Sequence, residues 1–196
     1  MDARDRLVDQ LLDRHEIERV IHAYCRGIDR RDLGLVRSCY HDDATDQHGS
    51  FFGTADEYTA WVDGLLARYR FTTHAIHQIT VEFGESATQA PHEPPSQAAV
   101  ETYGISVHRG DPAKPHQNLA TAFRYLDRFE RRANVWKIAS RVAIGEWSLR
   151  LPSGAWWEIP ESHAKSRRDA GDPLYALLES VGVRGARRDS IDANGE

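Results

Sequence analysis

The sequence predicts an α+β domain in which N-terminal helices pack on a curved antiparallel sheet. Helical periodicity dominates the first third of the chain, and four long segments rich in β-branched and aromatic residues follow it. Since the helices come first and the strands follow one another, the strands are expected to pair antiparallel. A helical layer on a curved sheet would form a cone with an open mouth.

Length and composition bound the class of protein. A chain of 196 residues with a net charge of −5 fits one globular domain and has no basic surface for nucleic acid. No apolar run approaches the roughly 20 residues that a membrane span needs. The two cysteines, Cys25 and Cys39, fall in predicted helices, which favours a reduced, cytoplasmic protein. We therefore expect neither a nucleic acid nor a membrane as a partner.

Three helices are predicted before the long strands. The first covers residues 4–29 and carries an apolar stripe at three- and four-residue steps. Asp32 is the expected N-cap of a short helix over residues 33–40. Thr54 and Glu57 form a capping box that starts the third helix. The apolar face of that third helix, assigned to the core, consists of Tyr58, Trp61, Val62, Leu65, Leu66 and Tyr69.

The strands and loops divide the rest of the chain. A short strand is expected between residues 41 and 53, and Arg132-Ala133-Asn134 is expected to form a tight turn. The main domain is predicted to cover residues 1–151, followed by a C-terminal extension over 152–182 and a disordered tail over 183–196. Trp156 and Trp157 mark the extension as a possible lid or subunit contact. The four long strands are predicted at 71–83, 98–108, 118–131 and 135–151, with a Pro-rich loop at 84–97.

Asp29 is a candidate general base at the end of the first helix. The negative end of the helix dipole and an apolar pocket would both favour its protonated form. The alternative is a solvated helix-end aspartate, with Arg26, Arg30 and Arg31 nearby.

Two histidines stand at the start of the first long strand. Strict alternation directs His77, and not His74, toward the core, unless a bulge near Gln78 reverses the assignment. One core histidine and one surface histidine is the simpler interpretation. Because the two side chains point to opposite faces of a strand, they do not form a convincing metal pair. The sequence therefore predicts no metal site.

Other polar side chains could line the same interior. The Tyr24 hydroxyl lies on a buried stripe and needs a partner, and His108 ends the second long strand. Arg141 interrupts an apolar strand, so an inward-facing guanidinium would require a carboxylate or an anionic substrate group. Tyr103 and Trp61 are further candidate substrate contacts. Phosphate-binding loops, the Gly-x-Ser-x-Gly motif and the Cys-x-x-Cys motif are absent from the sequence.

Five stretches of the chain together form a pattern that is known from other proteins. They are Tyr24 to Asp32, Asp43 to Gly53, Thr73 to Ile76, Arg124 to Arg131 and Trp136 to Arg141. The pattern resembles the SnoaL-like branch of the nuclear transport factor 2 fold, a cone-shaped α+β barrel, over roughly residues 10–150. The closest site patterns are those of scytalone dehydratase and bile-acid 7α-dehydratase.

The resemblance implies a catalytic dyad of Asp29 and His74, which overrides the alternation argument. It also implies catalytic roles for Tyr24 and Arg141, as in the bile-acid enzyme, and a substrate contact for His108, as in scytalone dehydratase. Ile28 stands where scytalone dehydratase has a tyrosine, so that substrate is not expected. A third catalytic carboxylate has only a weak candidate, Glu101.

The implied reaction is a cofactor-free elimination on a small, apolar, hydroxylated ring or polyketide-like molecule. Isomerisation and aldol-type chemistry would use the same groups. Because relatives form dimers or trimers, the resemblance also implies a homodimer or homotrimer. One rival class is a noncatalytic assembly subunit, like the β-subunits of ring-hydroxylating dioxygenases. Another is an epoxide hydrolase. That chemistry needs an Asp-Arg-Asp set that activates water, and the predicted strands of this chain show no clear second aspartate to supply it.

Overall fold

The computed structural model describes residues 3–84, 95–111, 118–152 and 158–183. Its helices and strands follow the predicted order, with one strand more than expected. The elements are α1 (Ala3–Arg30), α2 (Leu33–Ser38), β1 (Tyr40–His48), β2 (Phe51–Thr54), α3 (Ala55–Leu66), β3 (Tyr69–Phe83), β4 (Gln97–Gly110), β5 (Leu119–Arg132), β6 (Val135–Arg150) and α4 (Pro173–Ser180).

The six strands form one curved sheet in the order β2-β1-β6-β5-β4-β3. Four of the five pairings are antiparallel, but β1 pairs with β6 in parallel. The predicted α+β architecture is confirmed, and the expectation of a purely antiparallel sheet is wrong. The sequence pattern could not reveal this pairing, because β1 and β6 lie about a hundred residues apart and meet only through the fold.

The end of α1 is fixed by its own backbone. Arg31 adopts a left-handed conformation with φ of 55°. The N–H of Arg31 donates to Ile28 O at 3.2 Å, and the N–H of Asp32 donates to Gly27 O at 2.8 Å. These two bonds are the Schellman pattern that terminates helices. The helix therefore stops one turn after Gly27, and Asp29 lies in its last turn.

A bulge in β3 decides which histidine faces inward. The pairing with β4 shifts between Ile76 and Ile79, so that His77 and Gln78 both lie opposite Tyr103. His74 and Ile76 are partly buried, whereas His77 and Gln78 are exposed. The bulge considered from the sequence is therefore present, and strict alternation gave the wrong face for His74.

The core lies between the helices and the concave face of the sheet. Ile17, Ile21 and Phe129 are fully buried there. The Trp136 indole N–H donates to Asp13 at 2.8 Å, which fastens α1 to the end of the sheet that carries the β5–β6 turn. In that turn Ala133 and Asn134 have φ values of 49° and 61°, the backbone of a two-residue hairpin.

The remaining expectations about the chain divide into two groups. The N-cap at Asp32 and the capping box of Thr54 and Glu57 are confirmed. Both cysteines are free and buried. Trp156, Trp157, most of the Pro-rich loop and the tail from residue 184 onward lie outside the described residues. None of the helices in the described part of the chain is long and apolar enough to cross a membrane.

The strand glycine Gly104 provides a test of the packing beside His74. A Cβ at this position would lie 2.9 Å from Phe123 Cε2 and 3.0 Å from Ala75 O, so the aromatic ring must move. We expect Gly104→Ala to lower the free energy of unfolding by about 1–3 kcal/mol in urea denaturation. The matched control is Gly145→Ala on β6, where a Cβ would meet nothing within 4 Å. Equal destabilisation by both variants would contradict this packing.

Candidate active site

The Asp29 carboxylate accepts three hydrogen bonds from β3. His74 Nδ1 lies 2.7 Å from Oδ1, the His74 backbone N–H donates to Oδ2 at 2.9 Å, and Thr72 Oγ1 donates to Oδ1 at 3.1 Å. Three contacts from one strand fix the position of this carboxylate beside the imidazole. Asp29 is thus placed to orient the imidazole, whereas the sequence suggested that it acts as the base itself.

The His74 ring turns its other nitrogen away from Asp29. The side chain is 7% exposed, and within the described residues no hydrogen bond reaches Nε2. A proton on Nδ1, held by Asp29, leaves the lone pair on Nε2. The Phe123 ring lies 5.7 Å from the His74 ring in an edge-on arrangement, and the His108 ring lies 6.0 Å away.

His108 lies on the same side of the sheet as His74. It stands opposite Thr72 in the β3–β4 register, and its ring contacts the Tyr69 ring at 4.8 Å. Burial, and then the nearby His74, lower the pKa of His108 to about 4. The imidazole is therefore neutral at physiological pH and can donate or accept a hydrogen bond without carrying charge.

A groove of about 360 Å³ reaches the dyad between α1, β3 and α4. The groove is open to solvent and its lining combines polar and apolar groups, so it differs from the closed apolar cavity expected at the dyad. The lining residues are His22, Cys25, Arg26, Asp29, Arg30, His74, Ile76 and Leu174.

Part of the C-terminal extension packs next to this groove. Arg168 Nη1 donates to the carbonyls of Leu66 and Tyr69 at 3.0 and 2.8 Å. Asp172 lies 3.5 Å from Arg30, the residue after Asp29. The extension is thus fastened to α3, β3 and the end of α1, which brings Leu174 of α4 to the groove.

Tyr24 and Arg141 lie in a second cluster, away from the dyad. Arg141 is fully buried and makes a bidentate ion pair with Asp127, with N–O distances of 2.7 and 2.6 Å. Its guanidinium carbon lies 4.1 Å from the centre of the Tyr24 ring and 4.0 Å from that of Tyr125. The Tyr24 hydroxyl bonds to the Tyr58 hydroxyl. The carboxylate partner expected for an inward-facing Arg141 is therefore Asp127.

Aromatic rings connect the two clusters. Tyr125 contacts both Tyr24, at 5.7 Å, and Phe123, at 4.5 Å, and Phe123 contacts His74. Tyr24 is thus linked to His74 through two rings, and no direct contact between the two side chains is found among the described residues. Burial also raises the pKa of Tyr24, so its hydroxyl stays protonated. The catalytic roles suggested for Tyr24 and Arg141 stay predictions, and the structure does not bring either residue to the dyad.

Asp46 and Asp127 are the acidic residues that the sequence analysis missed. They flank Arg141 in the sheet register, one on β1 and the other on β5. The argument that no second aspartate accompanies Arg141 is therefore wrong. Asp127 follows Tyr125 and precedes Phe129 at two-residue steps, so alternation alone could have placed its carboxylate inside. The position of Asp46 depended on the parallel pairing.

Three other candidates lie elsewhere. Tyr103 is 37% exposed and stacks with Arg124 on the convex face of the sheet, away from the dyad. Glu101 lies on the same face and pairs with Arg124 at 2.7 Å, so the structure does not bring it to the dyad. Trp61 packs against His48 and Phe51 near the second cluster. Among the described residues, no group of three or more His, Cys, Asp or Glu side chains is arranged to hold a metal ion.

His108 should make the free energy of unfolding depend on pH. Its pKa is lowered from 6.5 to about 4 in the folded state, so the unfolded chain binds more protons between these values. The free energy of unfolding should fall as the pH drops through this range, by up to about 3 kcal/mol from this residue. In His108→Gln this part of the pH dependence should disappear in urea titrations at several pH values. His77→Gln, which changes an exposed histidine, should keep the wild-type slope.

The Arg141–Asp127 pair should behave as a buried ion pair. Asp127→Asn removes the countercharge, and we expect a loss of about 3–5 kcal/mol in the free energy of unfolding. The double variant Asp127→Leu/Arg141→Met removes both charges and should lose less than Asp127→Asn alone. The control Glu101→Gln breaks a partly exposed pair on the convex face and should cost under about 1 kcal/mol. Equal losses for the two amide variants would contradict the assignment.

Comparison with known proteins agrees with this fold. A family model described as the SnoaL-like domain matches residues 9–142. A proposed scytalone dehydratase from Novosphingobium aromaticivorans is 18% identical, with a TM-score of 0.61, covering 80% of this chain and 97% of that one.

Two further structures are hexachlorocyclohexane dehydrochlorinases. LinA type 2 is 21% identical with a TM-score of 0.65, covering 80% of this chain and 99% of that one. LinA type 3 from Novosphingobium barchaimii is 20% identical with a TM-score of 0.64, covering 78% and 98%. At these identities the likeness shows the fold alone. No curated protein matches the chain. The match over residues 9–142 shows that the chain belongs to the SnoaL-like domain family, which has the nuclear transport factor 2-like fold.

Proposed function

We propose that this protein is a cofactor-independent lyase in which His74 and Asp29 eliminate water from a β-hydroxy carbonyl compound. The observation that carries the proposal is the 2.7 Å contact between His74 Nδ1 and an Asp29 carboxylate that two other donors hold in place. A base oriented in this way needs no rearrangement to accept a proton at Nε2. Two structural neighbours also have names that denote eliminations, a dehydratase and a dehydrochlorinase.

The elimination begins at the carbon next to the carbonyl. His74 Nε2 takes the proton from this carbon, and the electron pair of the C–H bond passes into an enolate. The imidazolium that forms lies against the Asp29 carboxylate, which stabilises its charge. His108 stays neutral, because its pKa is about 4, and can donate a hydrogen bond to the enolate oxygen.

The second half of the reaction expels the hydroxyl group. The enolate re-forms the carbonyl and a carbon–carbon double bond, and the C–O bond to the β-carbon breaks. Since Tyr24 lies two rings away, the nearer acid is the His74 imidazolium, which gives its proton to the departing oxygen. The products are water and a conjugated carbonyl compound, and His74 returns to its starting state. Ile76 and Leu174 give the groove beside the dyad an apolar part that suits an apolar ring substrate.

The dyad also suits isomerisation and aldol-type chemistry, because both begin with loss of the same proton. An assembly subunit without activity is the remaining alternative. These classes differ in what happens to the proton. A lyase removes the α-proton and releases water. An isomerase exchanges the α-proton with solvent, and the substrate keeps its oxygen. A noncatalytic subunit neither exchanges the proton nor releases water.

The test is a panel of cyclic β-hydroxy ketones incubated with the protein in D₂O. Elimination is followed by the ultraviolet absorbance of the conjugated product, and exchange of the α-proton by NMR. We expect Asp29→Asn and His74→Gln each to lower the elimination rate by at least about 100-fold, since general base catalysis contributes about that much or more.

The matched control is His77→Gln, which changes an exposed histidine three residues along the same strand. It should keep the wild-type rate. Exchange without elimination would favour the isomerase or aldol alternative. Binding of panel compounds without exchange would favour the noncatalytic subunit, and undiminished elimination in His74→Gln would contradict the dyad.

A further inference from the structure

Three buried polar atoms in the second cluster lack hydrogen-bond partners among the described residues. They are Asp46 Oδ1, His48 Nδ1 and Arg141 Nη1. The side chains of Asp46 and Arg141 are both fully buried. An unpartnered buried polar group destabilises the folded state, and more so when it is charged. Three such atoms on adjacent residues of one sheet face therefore indicate a binding site.

The sheet register brings these three side chains together. Asp46 stands opposite Arg141 in the parallel β1–β6 pairing, and His48 follows Asp46 by two residues on the same face. The other groups of Asp46 and Arg141 are already engaged. Asp46 Oδ2 accepts from the Tyr40 hydroxyl at 2.6 Å, and Arg141 Nε and Nη2 donate to Asp127. Each residue thus has one atom left for a further contact.

Direct contact within the cluster does not satisfy these atoms. His48 Nδ1 and Asp46 Oδ1 lie 3.4 Å apart, and neither has a hydrogen bond. The His48 ring is held by stacking on Tyr58, with ring centres 5.3 Å apart, and by the neighbouring Tyr125 ring at 5.9 Å. A small group bonded to all three atoms would complete the arrangement.

The donor and acceptor pattern selects the chemistry of that group. Arg141 Nη1 only donates and the Asp46 carboxylate oxygen only accepts, so the ligand must both accept and donate. An anion or a ketone oxygen has no proton for Asp46, and an ammonium group has no lone pair for Arg141. A hydroxyl group has both. We propose that Asp46, His48 and Arg141 bind a hydroxyl oxygen, which belongs either to a water molecule or to an alcohol.

The site has one accessible side. The His48 side chain is 26% exposed, whereas Asp46 and Arg141 are fully buried behind it. Trp61 and Phe51 are partly buried next to His48 and form the surrounding aromatic surface. A hydroxyl on an apolar ring would therefore approach from the side of His48, the exposed member of the cluster, where Trp61 and Phe51 lie. This inference does not depend on elimination at the His74–Asp29 dyad.

The first test is a high-resolution crystal structure of the full chain without additives. We expect an ordered oxygen within about 2.6–3.2 Å of Asp46 Oδ1, His48 Nδ1 and Arg141 Nη1. A second crystal, soaked in phenol, distinguishes the two sources of the hydroxyl. A phenol oxygen at this position identifies an alcohol site, whereas an ordered water that phenol leaves in place identifies a water site. The absence of any ordered oxygen, with Asp46 and His48 bonded directly to each other, would overturn the proposal.

If phenol occupies the site, titration calorimetry in solution should show that the ligand must donate a hydrogen bond to Asp46. Phenol should bind at least about tenfold more tightly than anisole, which keeps the oxygen but has no proton for Asp46. Asp46→Asn keeps the size of the side chain and replaces an acceptor, and it should weaken phenol binding by about tenfold or more. His48→Phe keeps the ring contacts and removes Nδ1, so it should also weaken binding.

Asp42→Asn is the matched control, because it makes the same chemical change at an exposed position on the same strand. It should bind phenol as the wild type does. Equal affinity for phenol and anisole, or unchanged phenol binding in both Asp46→Asn and His48→Phe, would overturn the alcohol assignment.

Discussion

The three hydrogen bonds on the Asp29 carboxylate join the end of the first helix to the strand that carries the candidate base. Each bond requires that α1 stop at a fixed point and that β3 present His74 to its concave side. The left-handed Arg31 meets the first requirement, and the bulge at His77 and Gln78 meets the second. The dyad thus depends on two local backbone irregularities as much as on the identity of its side chains.

Burying Arg141 in the same interior places a charge where desolvation is expensive. The bidentate Asp127 carboxylate offsets that cost, and the faces of the Tyr24 and Tyr125 rings attract the guanidinium further. Burial lowers the pKa of Arg141 while Asp127 raises it, and the net pKa lies well above its usual value. The interior therefore has two polar regions, the dyad and the Asp46–Arg141–Asp127 row, with aromatic rings between them.

The family match ends at residue 142, but residues after that position also lie beside the dyad. Arg168 and Asp172 attach the C-terminal segment to α3, β3 and the end of α1, and Leu174 borders the groove. A site whose edge lies outside the shared domain can change its specificity without changing the dyad, because substitutions in that segment leave the sheet and α1 untouched.

The sequence by itself determined the order and the approximate limits of the helices and strands. Its periodicity, the Asp32 N-cap and the capping box of Thr54 and Glu57 are local features, and local features survive in any fold that contains them. The residue pattern made Asp29 a candidate, but only the resemblance to a family chose His74 as its partner. Alternation alone chose the wrong histidine, because a single inserted residue in β3 reverses the faces of the strand.

Only the tertiary structure decided which inward-facing residues meet. The Asp46–Arg141–Asp127 row requires a parallel pairing between β1 and β6, and the orientation of His74 requires both the helix end and the bulge. A hydrophobic pattern specifies which face of a strand is buried, but it contains no information about which distant strand lies alongside. That choice depends on how all the elements pack together, and so the polar interior became visible only in the folded chain.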